Sequence, residues 1–139
     1  MADWIDAPVP GTAAEALRRA GRWTGQPLHD QDVWYRRTLE ESGPRTIRFD
    51  GLATIAEVWL DDRLVLTARN MFTPQEIDID LAAGETLWLC FRALAPVIAE
   101  RGPRARWRSQ MMTTQGVRLV RTTLFGHMPG WCPQVDAVG

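Results

Sequence analysis

Residues 49–74 read FDGLATIAEVWLDDRLVLTARNMFTP, and the alternation inside this stretch constrains the fold more than any other feature of the chain. Ala56, Val58 and Leu60 fall on one parity, Ile55, Glu57 and Trp59 on the other. β-Branched and aromatic residues at a period of two predict a strand buried on at least one side, with Trp59 adding bulk on the opposite face. Asp61-Asp62 then supplies turn residues that tolerate positive φ, and Leu64-Val65-Leu66 starts a return strand. The stretch is a β-hairpin that runs on into an Asn-Met-Phe loop.

Other segments follow the same rule. Residues 75–81 (QEIDIDL) place Ile77, Ile79 and Leu81 inward and Glu76, Asp78 and Asp80 outward; clean alternation makes these aspartates a solvated face rather than a metal site. Residues 86–93 (TLWLCFRA) are apolar on both faces, which predicts a central strand. Shorter strands are expected at 33–39 and 46–49, separated by a turn at Ser42-Gly43-Pro44. Near the start, Thr12 is a good N-cap, residues 13–20 (AAEALRRA) are rich in helix formers and Gly21 is a stop. Ala13, Ala16, Leu17 and Ala20 share the apolar face of that helix. Residues 94–100 hold at most a helical turn, broken by Pro96. Further on, 101–108 (RGPRARWR) gathers arginines around Trp107, 115–123 reads equally as helix or strand, and 126–133 is a loop. Six or seven short strands with hairpin turns and one short N-terminal helix predict an all-β chain, a jelly-roll β-sandwich.

With 139 residues the chain has room for a single domain with a real core, spanning 1–139. The formal net charge of −1 argues against a nucleic-acid partner, whose binding face needs a basic excess. No run is long enough to cross a bilayer and no signal peptide is visible, so no membrane partner is expected and the expected compartment is the cytoplasm. Cys90 lies in an apolar strand and reads as a small core residue, whereas Cys132 stands in a Pro-Gly-Trp-Cys-Pro turn; a disulfide between them is not expected. His29 and His127 are far apart and no metal-ligand spacing occurs, so neither a metal nor another cofactor is expected. Seven tryptophans are the informative excess, since indole supplies buried area and also stacks on sugar rings.

Several segments carry a resemblance when taken in order: APVPGT at 7–12, DVWYR at 32–36, FDGL at 49–52, AEVWL at 56–60, NMF at 70–72, Ile77-Asp78 with Leu81, and GETL at 84–87. Each is weak alone, but together they cover most of the chain. In that order they resemble the N-terminal galactose-binding-like, sugar-binding domain of glycoside hydrolase family 2, on its β-mannosidase-like side. The resemblance implies a galactose-binding-like jelly roll that packs on a catalytic barrel of the same chain. There it would form one wall of the substrate cavity and contact a carbohydrate, a β-mannoside or β-galactoside. Retaining glycosidases need two carboxylates about 5 Å apart. In the family both are glutamates on a later (β/α)₈ barrel, so the resemblance implies no catalytic residue in this chain.

Four residues are its candidate sugar contacts. Trp131 stands in MPGWCP, where β-mannosidase-like members carry Trp-Asp-Trp-Gly-Pro; Gly130 occupies the carboxylate position, which leaves mannoside specificity open. Asn70 belongs to a loop that reaches the active-site rim in related β-galactosidases, and its amide both donates and accepts. The alternative is that Asn70 satisfies its own loop backbone. Asp32 and Trp34, in the DVWYR segment, are the other two. Trp59 and Trp88 are expected as core or inter-sheet residues, with a sugar contact the alternative for each. The family's domain closes with a strand after a Val-Gly pair, so a chain stopping at Val138-Gly139 implies a fragment lacking its barrel, prone to self-association through an incomplete sheet edge. Two other readings stay open: an autonomous carbohydrate-binding module, and a structural β-sandwich that docks on a protein partner.

Overall fold

The computed structural model describes residues 3–26 and 28–99, so Trp107, Trp131, Cys132 and the segments expected at 101–108, 115–123 and 126–133 lie outside the described residues. Those described fall into two compact units, one drawn from the chain before Asp32 and after Arg92, the other from residues 32–92.

The first unit contains helix α1 (Ala13–Arg19), a 3₁₀ turn (Leu28–Asp30) and helix α2 (Ala95–Ala99). Thr12 caps α1 as its sequence predicts: its Oγ1 accepts from the Glu15 amide at 3.2 Å. The other end is a Schellman closure, with Gly21 N–H on the Arg18 carbonyl at 3.0 Å and Arg22 N–H on the Leu17 carbonyl at 2.8 Å. That closure puts Gly21 at φ +69, a conformation that favours a residue without Cβ. The buried face of α1 is Ala13, Ala14 and Ala16; Ala20 is exposed and Leu17 only half-buried, so the predicted stripe is rotated toward Ala14. Pro96 does not break α2 but sits in its first turn, where the missing N–H would have had no helical partner.

The second unit is the β-sandwich framework, two antiparallel sheets from six strands. Strands β1 (Val33–Thr38), β6 (Thr86–Phe91), β3 (Ala56–Leu60) and β4 (Arg63–Ala68) form one sheet in the order β1-β6-β3-β4; β2 (Gly43–Phe49) pairs with β5 (Gln75–Leu81) in the other. The expected hairpin is β3–β4, closed at Asp61-Asp62 with Leu60 opposite Arg63. Asp61 takes φ +49, and its Oδ1 accepts from the Thr86 amide at 2.9 Å, which ties the turn to the start of β6. The register slips once between Val58 and Trp59, a bulge on β4 at Val65.

Central placement of β6 between β1 and β3 agrees with its apolar pattern. Strand β2 begins earlier than expected, because Gly43 and Pro44 join the ladder instead of forming the turn. Pro44 lies opposite Asp80 in a two-stranded sheet, where a strand can point its N–H side away from its partner and a proline costs little.

Register gives the four-stranded sheet two unlike faces. One carries Val33, Tyr35, Leu87, Leu89, Phe91, Ala56, Val58, Leu60, Leu66 and Ala68. Val58 and Leu60 are 0% and 2% exposed, and burying each such side chain contributes about 1.5–3 kcal/mol. Tyr35 meets Phe91 edge-on at 5.6 Å. The opposite face carries Trp34 and Arg36 from β1, Trp88 and Cys90 from β6, and Glu57 and Trp59 from β3. Trp59 and Trp88 therefore lie outside the aliphatic core, half-buried, which corrects the expectation drawn from their bulk.

Candidate functional site

Alternation on three neighbouring strands places Trp34, Cys90 and Glu57 in one row of the second face and Arg36, Trp88 and Trp59 in the next. The end of the sheet closes over the first row. Arg92 follows β6 directly, and its backbone N–H donates to the Ile55 carbonyl at 2.9 Å, which fixes where its side chain starts. Asp32 immediately precedes β1.

Their side chains meet in one ion cluster. Arg92 Nε and Nη2 donate to the two oxygens of Glu57 at 3.0 and 2.7 Å, a bidentate fork, while Nη1 donates to Asp32 Oδ2 at 2.7 Å. Trp59 Nε1 adds a hydrogen bond to Glu57 Oε2 at 3.1 Å. The Arg92 guanidinium stands 5.9 Å from the Trp34 ring centroid, and Trp34 meets Trp88 edge-on at 6.5 Å. Trp34 remains 42% exposed.

Three charged groups thus sum to −1 around a half-exposed indole. The Arg92 hydrogen bonds hold the Glu57 carboxyl below its ordinary pKa; partial burial opposes this and the Trp59 N–H assists it. Glu57 and Asp32 together raise the guanidinium. Cys90, in the row between Trp34 and Glu57, is fully buried and its thiol is pushed up to about 11, chiefly by desolvation. Such a thiol is inert as a nucleophile near neutral pH. Among the described residues, Arg92 spends three of the five N–H groups of a guanidinium on these partners.

Of the sequence-predicted residues, Asp32 and Trp34 are brought together here. Asn70 lies elsewhere, in the loop after β4. Its Oδ1 accepts from the Phe72 amide at 2.8 Å and its Nδ2 donates to Thr73 Oγ1 at 2.7 Å, so the side chain organises its own turn. The loop presents Phe72, 77% exposed, and passes close over Gly51, where a Cβ would meet the Met71 carbonyl oxygen at 2.7 Å. Gly51 is required by that approach. Trp131 falls outside the described residues. Glu57 and Arg92 were not singled out by sequence reasoning. The signal available was their shared parity with Trp59 and Trp88, away from the aliphatic side.

Among the described residues no group of three or more His, Cys, Asp or Glu is placed to hold a metal ion, and no helix is long and apolar enough to cross a membrane.

Comparison with known proteins adds the following. A family described as the glycosyl hydrolase 2 galactose-binding domain-like family matches residues 1–139. No curated protein is matched. Among solved structures, the chain is similar to a family 2 β-galacturonidase from Eisenbergiella tayi bound to galacturonate. That match has 24% identity over 60% of this chain and 14% of that one, with a TM-score of 0.48. A glycerol-bound structure of a family 2 β-galacturonidase from the same organism matches at 24% identity over 63% of this chain and 15% of its own length, with a TM-score of 0.49. The chain thus spans a small part of the proteins it is similar to.

Proposed function

We propose, from the premise that this chain belongs to the galactose-binding-like domains of glycosyl hydrolase family 2, that it serves as the accessory sugar-binding domain of a β-mannosidase-like retaining glycosidase. In this role it packs on the catalytic barrel of the same chain, forms one wall of the substrate cavity and supplies sugar contacts without cleaving the glycosidic bond itself. The observation that carries the reading is the family match across the whole chain, 1–139.

Local chemistry supports the non-catalytic part. Retention needs one carboxylate as nucleophile and a second carboxyl whose raised pKa lets it act as acid. Asp32 and Glu57 are the carboxylates that the fold gathers beside an exposed aromatic ring, and both are spent on Arg92. Glu57 is shifted downward, the wrong direction for a general acid. Trp131 remains the wall's leading sugar contact. The carboxylate that would grip a mannoside hydroxyl is replaced by Gly130, so binding there rests on the indole face.

The test is kinetic. In the enzyme carrying this domain, Trp131→Ala should lower kcat/KM for a nitrophenyl β-mannoside by about tenfold or more. The 139-residue chain by itself should leave the same substrate uncleaved. Hydrolysis by the isolated chain, free of contaminating enzyme, or an unchanged kcat/KM in the variant, would overturn the proposal.

A further inference from the structure

The ion cluster stands where the chain changes unit. Residues 32–92 form one compact unit and the chain on either side of them forms the other, so the backbone crosses twice, at Gln31-Asp32 and at Arg92-Ala93. We infer that Asp32, Arg92 and Glu57 form a clasp on this double crossing, a conformational device that couples the order of the first unit to the folded sheet.

Register explains why the two crossings meet. Strands β1 and β6 run antiparallel with Val33 opposite Phe91 as the last pair, so Asp32 and Arg92 leave the ladder side by side. Arg92 then reaches carboxylates 60 and 35 positions away in sequence, Asp32 at 2.7 Å and Glu57 at 3.0 and 2.7 Å. Arg36 lies on the same face, one row beyond Trp34, and brings the sum of the four charges there to zero. The clasp therefore acts through directed, charge-assisted hydrogen bonds and not through net charge.

The first unit is built so that it needs such a clasp. Its helix α1 and 3₁₀ turn precede Asp32, whereas α2 follows Arg92. The 3₁₀ turn and α2 lie in contact, and Leu28 and Leu94 beside them are 2% and 5% exposed. This contact joins parts of the chain that have the whole of residues 32–92 between them. Bringing the ends of so long a stretch together costs loop-closure entropy. The folded sheet has already met that cost, because β1 and β6 are neighbours, and the clasp limits how far the two crossings can splay.

The competing account is that backbone pairing alone holds the crossings. On that account the Val33–Phe91 pair and the Arg92 N–H bond to the Ile55 carbonyl at 2.9 Å suffice, and the side-chain cluster only adds to the stability of the sheet. Removing the Asp32 carboxylate would then affect sheet and helices alike, or neither. A clasp predicts that it affects the helices alone. The inference is independent of the role proposed above in a glycosidase, so failure of one leaves the other standing.

The experiment is residue-resolved amide hydrogen exchange on the 139-residue chain and on Asp32→Ala, which removes the ion pair across the crossings and leaves the Glu57–Arg92 fork in place. In the variant the amides of α1, the 3₁₀ turn and α2 should exchange together, about threefold faster than in the native chain. That is the size expected of an ion pair whose side chains are 39% and 33% exposed. Amides of the β3–β4 hairpin should keep their native rates. Asp32→Asn, which retains an acceptor for Arg92, should fall between the native chain and Asp32→Ala. Far-UV circular dichroism checks that each variant folds, and if Asp32→Ala does not, Asp32→Asn decides by the same criteria. Unchanged exchange in α1, acceleration confined to the residues next to the two crossings, or equal acceleration in the hairpin would each overturn the inference.

Discussion

The two faces of the β1-β6-β3-β4 sheet use the same strands and the same hydrogen-bond ladder but opposite chemistry. On one, Ala56, Val58 and Leu60 meet Leu87 and Phe91 as a buried apolar layer, with Leu89 half-buried opposite Val58. On the other, Glu57 and Trp59 face Cys90 and Trp88, with Arg92 and Asp32 closing the end. The first face holds the fold through area removed from water, and any well-packed set of side chains would serve. The second depends on which residue lies opposite which, because the Glu57–Arg92 fork joins positions 35 apart in sequence. Aliphatic packing and the ion cluster are thus separated by the thickness of one strand.

Four variants and conditions break or sharpen that contrast. The largest effect belongs to the aliphatic face: Leu60→Ala should lower the unfolding free energy by about 2–5 kcal/mol, read by urea or thermal denaturation. A loss below about 1 kcal/mol would mean that Leu60 is not core. Next comes the ion cluster. Arg92→Met keeps an apolar stem but strands Glu57, and should cost about 1–2 kcal/mol once screening of a guanidinium that is 39% exposed is allowed for. Adding Glu57→Gln should recover part of it, and a double-mutant cycle with no coupling would show that the fork contributes nothing.

Third is Tyr35, whose hydroxyl is buried on the aliphatic side without a partner among the described residues. Burial raises its pKa, as expected for a phenol with nothing to receive its charge. Tyr35→Phe keeps the edge-on contact with Phe91 and should gain about 1 kcal/mol in thermal unfolding; a loss would reveal a partner for the hydroxyl.

The smallest effect is pH. The folded-state pKa of Glu57 is lowered, so its contribution is fully present above the unfolded value of about 4.3 and is lost as pH falls through the folded pKa. In that window the unfolded state binds more protons, and stability rises with pH. Glu57→Gln should make the acid limb of the stability profile shallower than in the native chain, and an identical limb would contradict the cluster.

How much of this was legible in the sequence follows from the same contrast. Period-two alternation set the bounds of β5 at Gln75–Leu81 and picked Ala56, Val58 and Leu60 as the buried parity, because local pattern is all that one face requires. Local pattern failed where partner strands decide. Pro44 reads as a turn residue until β5 pairs with it, and Pro96 reads as a helix breaker until the helix starts at Ala95. Trp59 and Trp88 read as core from their bulk, yet strand parity places them opposite it. Glu57 looked like any outward residue and Arg92 like the end of a strand. Only the register that sets Trp34, Cys90 and Glu57 in one row brings them together. Asp32 and Trp34 entered through family resemblance, and geometry sets them beside Arg92.

The most direct measurement of the central claim is the sequence of the reading frame on the 3′ side of the Gly139 codon. An accessory domain of a retaining glycosidase predicts an open continuation encoding a (β/α)₈ barrel, with two glutamates at strand ends placed to stand about 5 Å apart. A native stop codon at that point would contradict it.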